Sequence, residues 1–369
     1  MATLAEIVCG HGGEYLELFG DRMPTSHRRA LADIAACRTE ALGGHLWACD
    51  TCGHRHYSYH SCKNRSCPTC HGTQTTRWCE KREQEILPVP HFHVVFTLPD
   101  ELRDLVRRHQ KLLLPLLMRT ATEALMTLGA DPKHLGGRLA ILAVLHTWSR
   151  TLVYHPHLHC LVAAGALTAD GMWRRARKKF LVPVRALSER FRGRFMKGVR
   201  KLLPEASITG GVWEKPWVVY CKPTLGKTNK VLQYLGRYVH RIAITNRRIE
   251  SCRDGRVTFR HQDSSTRRWK TMTLPAMEFL RRYLQHVLPR GLHKVRYYGL
   301  LSPGNRTLLR RLHLLLARQR QTEKPDNDRS HPASPHCCPV CTRGSMVIIA
   351  LVLRCRSPPH WFPHLQLPG

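Results

Sequence analysis

Acidic side chains are scarce in this sequence. Of 369 residues, 26 are Asp or Glu and 59 are Lys or Arg, a net charge of +33 with a pI near 10.3. Basic residues run along the whole chain instead of collecting in one tail. That distribution favours a polyanion partner, nucleic acid, over a targeting tag or a membrane-surface role. Long apolar runs are also missing. The longest, Met346 to Leu353, is far short of the ~20 residues that span a bilayer. The N-terminus carries acids within an amphipathic pattern and has no apolar leader core. These features predict a cytoplasmic, nucleoid-associated protein.

Cysteine is plentiful, with 15 residues, and its spacing speaks for metal in a reducing cytosol rather than for disulfides. Cys49-x-x-Cys52 and Cys67-x-x-Cys70 are two knuckles separated by fourteen residues. Each knuckle turn brings two thiolates onto one ion, so Cys49, Cys52, Cys67 and Cys70 are expected to hold one tetrahedral zinc. Cys37 and Cys62 are left over, either as ligands of a second zinc with nearby histidines or as buried thiols. Four thiolates leave no open position, so this zinc is structural and replaces a core that short polar segments cannot build. Arg55, Lys63, Arg65 and Arg77 make the module a candidate DNA contact.

The run Tyr154-His-Pro-His-Leu-His-Cys160 reads as a β-strand. Alternate side chains of a strand share a face, so His157 and His159 project together while Leu158 enters a core. Two imidazoles on one face form a metal half-site; the plainer alternative is a pair of surface histidines. His91 to Pro99 is a second strand with a His-hydrophobic-His triplet, ranked lower because no ligand candidate is set opposite it by a hairpin. Ala140 to Trp148 is a third strand. If it forms a hairpin with the His157 strand about Arg150 to Leu152, His146 comes level with His157 and can be a third ligand, an assignment that a one-residue slip would remove. Between these strands a helix is expected from Asp100 past Met118, kinked at Pro115, with a second over 117–129.

Downstream, Arg174 to Lys201 carries twelve basic residues and one acid, with Leu187, Phe191, Phe195 and Val199 every fourth position. It reads as one amphipathic helix suited to a phosphate backbone, with Arg174, Arg175, Lys178 and Lys179 as contacts. Trp213 to Tyr220 reads as a strand. A helix capped by Thr228 or Asn229 follows, buried along Val231, Leu235, Val239 and Ile242. Tyr234 and Tyr238 lie one turn apart at its border, beside Lys230, Arg237 and Arg241. Such an aromatic pair is usually core. Beside a metal strand and arginines it gains a second meaning: a phenol needs activation to attack a phosphate, and a divalent ion and arginines can neutralise the developing charge. These are the parts of a covalent DNA nickase.

Taken together, the chain resembles the two-tyrosine rolling-circle transposases of bacterial insertion sequences, within the His-hydrophobic-His endonuclease superfamily. The matching stretches are Cys37-Arg-Thr-Glu-Ala-Leu-Gly-Gly-His45, the knuckles with Ser61-Cys-Lys-Asn-Arg65, and His93-Val-Val-Phe-Thr-Leu-Pro-Asp-Glu101. To these are added His155-Pro-His-Leu-His159 and Tyr234-Leu-Gly-Arg-Tyr-Val-His-Arg241. The resemblance implies an α+β chain in which a small zinc-binding N-terminal domain precedes a catalytic domain with a central antiparallel sheet flanked by helices. It implies His157 and His159 as ligands of Mg²⁺ or Mn²⁺, and Tyr234 and Tyr238 as nucleophiles. The products would be a 5′-phosphotyrosine and a free 3′-OH, made on single-stranded element ends and target DNA. The expected division is 1–88, 89–318, and a linker and irregular tail from 319 to 369. Cys338-x-x-Cys341 in that tail is a candidate small second knuckle. The last residues, from Ser357, lack periodicity and depart from the family's pattern, as an altered terminus would. A plasmid or phage replication initiator or relaxase is the alternative with the same chemistry, and a zinc-dependent DNA-binding regulator is the alternative without catalysis.

Overall fold

A computed structural model describes residues 2–70, 72–224, 228–239, 243–263, 265–318 and 337–354. The backbone divides into two compact units, each assembled from separated stretches of chain. The larger comprises 72–243 and 288–323; the smaller comprises 1–71, 244–287 and 324–369.

The larger unit is built on a five-stranded sheet. Its strands are β1 (His91–Thr97), β2 (Ala140–Trp148), β3 (Tyr154–Ala163), β4 (Val219–Pro223) and β5 (Val295–Gly299), in the order β5-β2-β3-β1-β4. Every neighbouring pair is antiparallel. Because side chains alternate across the pleat, each strand contributes two sets. One face presents Phe92, Val94, Phe96, Ile141, Ala143, Leu145, Leu158, Cys160 and Val162, all buried against the helices α2 (Gln110–Ala130) and α3 (Val184–Leu202). Helix α2 is long and apolar enough to cross a membrane, yet most of its length is buried in this core. It runs unbroken through Pro115; the break expected there falls earlier, at His109, between Arg103–Arg108 and Gln110–Ala130.

The opposite face carries Leu142 and Val144 of β2 and Leu161 of β3, which pack with Leu232 and Leu235 of the helix α4 (Thr228–Val239). That helix also lies against helix α1 (Gly72–Glu85). The basic segment differs from the single helix expected. Helix α3 starts only at Val184, after Pro183. Arg174 and Arg175 lie on a short strand, Trp173–Arg175, paired with Gly165–Thr168. Trp213 belongs to a helical turn, Gly211–Glu214, and the strand begins later, at Val219.

In the smaller unit, helix Leu4–Phe19 opens with a capping box between Thr3 and Glu6, satisfying two free N-terminal amides. It packs on Thr25–Ala35 and on Ala276–Leu284. The strands Ile249–Arg253, Arg256–Gln262 and Trp269–Pro275 form one antiparallel sheet; the last two are the hairpin that their β-rich sequence predicts. A second sheet orders Met346–Val352, Gly44–Cys49 and Arg55–Tyr59. Its first strand comes from the segment read as irregular tail.

Candidate metal centres and the tyrosine helix

Strands β2 and β3 form the expected hairpin. Ser149 donates its N–H to the Val153 carbonyl (2.9 Å), and Leu152 takes the left-handed conformation (φ 63°) that closes the turn. His146 pairs directly with His157, and Val144 with His159. A shift between His146 and Trp148 absorbs one residue, so the register that would have slipped is held. The ligand nitrogens of His146, His157 and His159 all lie within 4.8 Å of one another. His146 and His159 are buried and His157 half-buried.

The ring orientations are set by neighbours. His157 Nδ1 donates to the His155 carbonyl at 2.7 Å, which leaves Nε2 as its lone-pair nitrogen. His159 Nδ1 lies 2.8 Å from His93 Nε2, the two rings nearly parallel with centroids 5.1 Å apart. His146 stacks on Trp148 (5.1 Å), whose ring lies under the Lys294 ammonium. Burial pushes His157 and His93 down to about 4. It also holds His146 and His159 well below the usual imidazole range, with their mutual charges and Lys294 adding to the effect at His146. The imidazoles are therefore neutral near pH 7, the form that binds metal. Among the described residues this group contains no carboxylate.

His93 was the histidine ranked lower from sequence. The sheet sets β1 beside β3 and so brings it to His159; the signal was its own His-hydrophobic-His triplet. Arg103, whose guanidinium is 3.3 Å from His155 Nδ1, Lys222 and Lys294 are basic groups near the triad that the sequence reading did not select.

Helix α4 covers the same sheet face as the triad. Val144, opposite His159, belongs to the apolar cluster that Leu232 and Leu235 complete. Positions 234 and 238 lie one turn apart on α4. Their side chains, those of Lys230 and Arg237, and all of Arg241 lie outside the described residues. Between the two tyrosines, Gly236 permits close packing: a Cβ there would stand 2.4 Å from Cys79 Sγ and 3.3 Å from the Trp78 ring. Gly236→Ala is expected to lift α4 off Gly72–Glu85 and cost about 1–3 kcal/mol by overpacking. It should lower the melting temperature while leaving bound zinc unchanged, which thermal melts and zinc content of the same preparations check.

The remaining basic candidates do not gather at the triad. Arg174 and Arg175 lie past the far end of β3, at Gly165–Thr168. At ~3.3 Å per residue, the eight steps from His157 to Gly165 span roughly 26 Å. Lys178 and Lys179 are exposed nearby. Helix α3 lies on the opposite sheet face from the histidines, its Arg200 and Arg192 stacked over Trp213.

The cysteines of the smaller unit fall into two groups that differ from the predicted one. Cys67 and Cys70 are joined by Cys37 and Cys62, and Cys49 and Cys52 by Cys338 and Cys341. In the first group Cys70 Sγ is 3.4 Å from Cys37 and 3.5 Å from Cys62. In the second, Cys49 lies 3.6 Å from Cys341 and Cys52 3.7 Å from Cys338. A tetrahedral ion with Zn–S of ~2.3 Å sets its sulfurs about 3.8 Å apart, and a disulfide about 2.05 Å, so both groups fit a metal and neither a disulfide. The knuckle that local spacing pairs with Cys49-x-x-Cys52 is satisfied by its own nearer partners.

Comparison with known proteins finds transposase relatives along most of the chain. A family model described as "Transposase zinc-binding domain" matches residues 7–98, and one described as "Putative transposase" matches 140–307. The chain is 37% identical to a protein named "Putative transposase y4qJ" from Sinorhizobium fredii, over 91% of this chain and 92% of that one. It is 29% identical to the "Transposase for insertion sequence element IS801" of Pseudomonas savastanoi pv. phaseolicola, over 73% of this chain and 68% of the other. No solved structure matches it.

Proposed function

Because the chain belongs to the two-tyrosine rolling-circle transposases of insertion sequences, we propose that it cleaves and rejoins single-stranded DNA at element ends through Tyr234 and Tyr238. The observation that carries this reading is the juxtaposition of His146, His157 and His159 on one sheet face with the helix bearing both tyrosine positions. The donor set fits a divalent ion, which, when bound, supplies Lewis-acid polarisation of a phosphate oxygen. The residues do the rest. His155 and His93 hold the rings of His157 and His159 in orientation. Arg103, Lys222 and Lys294 add positive charge around a phosphate diester, and positions 230 and 237 of helix α4 are also basic.

The phenolic oxygen of one tyrosine attacks phosphorus. The bond to the 3′ oxygen breaks, that oxygen leaves as a 3′-OH after taking a proton, and the 5′ phosphate remains on tyrosine. Attack by another strand's 3′-OH reverses the step and rejoins DNA; the second tyrosine holds a second end meanwhile. The exposed Arg174, Arg175, Lys178 and Lys179 extend the phosphate track away from the site.

Three imidazoles without a carboxylate suit Mn²⁺ better than Mg²⁺, which prefers oxygen ligands and retains its waters. Cleavage of labelled single-stranded element-end DNA is therefore expected with Mn²⁺ at lower concentration than with Mg²⁺, and none with chelator. Binding of the same DNA with no cleavage under any divalent ion would favour a non-catalytic regulator. Cleavage of a replication origin but not of element ends would favour an initiator.

A further inference from the structure

We propose that the chain carries two structural zinc ions, and that the second is a clasp made by both ends of the chain. Cys49 and Cys52 supply one half and Cys338 and Cys341 the other, and the ion fastens the strand Met346–Val352 onto the edge of Gly44–Cys49. The first site, Cys37, Cys62, Cys67 and Cys70, lies wholly within the stretch matched as a zinc-binding domain. The second draws half of its ligands from well beyond it.

The geometry of the second site is that of a preformed thiolate cage. Backbone N–H groups point at the sulfurs: those of Thr51 (3.4 Å) and Cys52 (3.5 Å) at Cys49, and that of Gly344 (3.4 Å) at Cys341. Such bonds favour the thiolate over the thiol. Gly344 has no room for a side chain, since a Cβ would stand 2.5 Å from Cys49 Sγ and 2.6 Å from both Asp50 Oδ1 and Thr51 Oγ1.

A second set of contacts begins beside the sulfurs and continues along the strand. Asp50 Oδ1 accepts the Ser345 N–H at 3.0 Å, and the Asp50 N–H returns to the Ser345 carbonyl at 3.1 Å. From there the strands pair from Cys49 opposite Met346 to Gly44 opposite Val352. At the far end Gly43 adopts φ 66°, and a Cβ there would meet the Val352 carbonyl at 2.6 Å and the Arg354 nitrogen at 2.9 Å. The Gly43-Gly44 pair is thus shaped to receive the C-terminal strand.

Side chains of that strand contribute little burial: Val347, Ile348, Ile349 and Leu351 are all exposed. With so little apolar area to hold it, the strand depends on the metal. The two ions also differ in accessibility. In the first site Cys37, Cys67 and Cys70 are buried and Cys62 half-exposed; in the second Cys49 and Cys338 are buried, Cys341 is half-exposed and Cys52 is exposed. The clasp is therefore the ion that thiol reagents reach first, and its loss frees the strand without dismantling the first site.

The test is zinc content of the purified full chain by mass spectrometry, beside hydrogen exchange. Wild type should hold two zinc ions, Cys338→Ser/Cys341→Ser one, and Cys341→His, which keeps a ligand, two. In the double variant, exchange should rise across 345–352 and at the paired segment 44–52, and stay slow around Cys37, Cys62, Cys67 and Cys70. A thiol-modifying reagent should release zinc from wild type in two phases, with only the slow phase left in the double variant. One zinc in wild type, two in Cys338→Ser/Cys341→Ser, or unchanged protection of 345–352 after loss of the ion would each overturn the proposal. None of these readouts depends on DNA cleavage.

Discussion

His157→Ala combined with His159→Ala is expected to abolish cleavage of single-stranded element ends, by on the order of 10³-fold or more, with DNA affinity within a few-fold of wild type. The reason lies in how the site is divided. The two rings supply two of the three clustered nitrogens proposed to hold the ion, and loss of a Lewis acid forfeits several kcal/mol of transition-state stabilisation. The proposed DNA contacts are a different set of groups, the exposed basic side chains spread from Arg174 to the outer face of α3, which these substitutions leave in place. Both replaced side chains lie on the helix α4 face of the sheet, while Leu158 and Cys160, on the other, keep the core intact. A filter-binding titration and a gel cleavage assay on one preparation separate the two quantities. Parallel loss of both would mean that the histidines hold the fold and not the metal. His93→Leu is the milder companion. It removes the group 2.8 Å from His159 Nδ1, and the orienting partner of a ligand typically accounts for 10–100-fold in metal affinity.

Tyr234→Phe with Tyr238→Phe is expected to remove strand cleavage altogether, since no other step of the proposed reaction supplies the bond to phosphorus. The single variants should differ from each other. Loss of the tyrosine that attacks first stops cleavage, whereas loss of the other permits a first cleavage and blocks the second transfer. Phenylalanine retains the ring, so helicity and melting temperature should stay near wild type. A denaturing gel that resolves nicked DNA from joined product checks the outcome. Nicking retained in the double variant would point instead to a water nucleophile, with the tyrosines as packing residues.

The parts of this account that could be read from the sequence are those governed by short-range geometry. Period-two alternation around His157 and His159, with Leu158 and Cys160 between, fixed the strand and its two faces. A tight turn near Arg150 fixed the hairpin and brought His146 level with His157. The order of strands in the sheet was not legible, because β5 arrives from Val295 beside β2 while β1 inserts next to β3. For that reason His93 was undervalued. Its partner, His159, is a neighbour only once β1 and β3 are paired.

Cysteine spacing failed for a related reason. A knuckle's sequence says that two thiolates share an ion but not which other pair completes it. Spacing points to the neighbouring knuckle, yet the partners of Cys67 and Cys70 are Cys62, close by, and Cys37, which lies farther off in sequence than Cys52. Cys49 and Cys52 reach across the chain to Cys338 and Cys341. That choice also hid the strand Met346–Val352, whose uniform apolarity gives no alternation and whose docking is set by Gly43, Asp50 and the cysteines rather than by a buried face. In the basic segment, fourfold spacing was right for α3, but Pro183 ends the pattern on its N-terminal side, and Arg174 and Arg175 follow the strand geometry of Trp173 instead.

The central claim, attack on a DNA phosphate by a tyrosine of helix α4, is tested most directly by locating the covalent bond. Wild-type protein is incubated with Mn²⁺ and single-stranded element-end DNA, denatured, digested with nuclease and protease, and the nucleotide-bearing peptide is sequenced by mass spectrometry. The account predicts a phosphodiester-linked nucleotide on Tyr234 or Tyr238 and a free 3′-OH on the released strand. Cleaved DNA bearing a free 5′ phosphate, with no modified peptide, would contradict it.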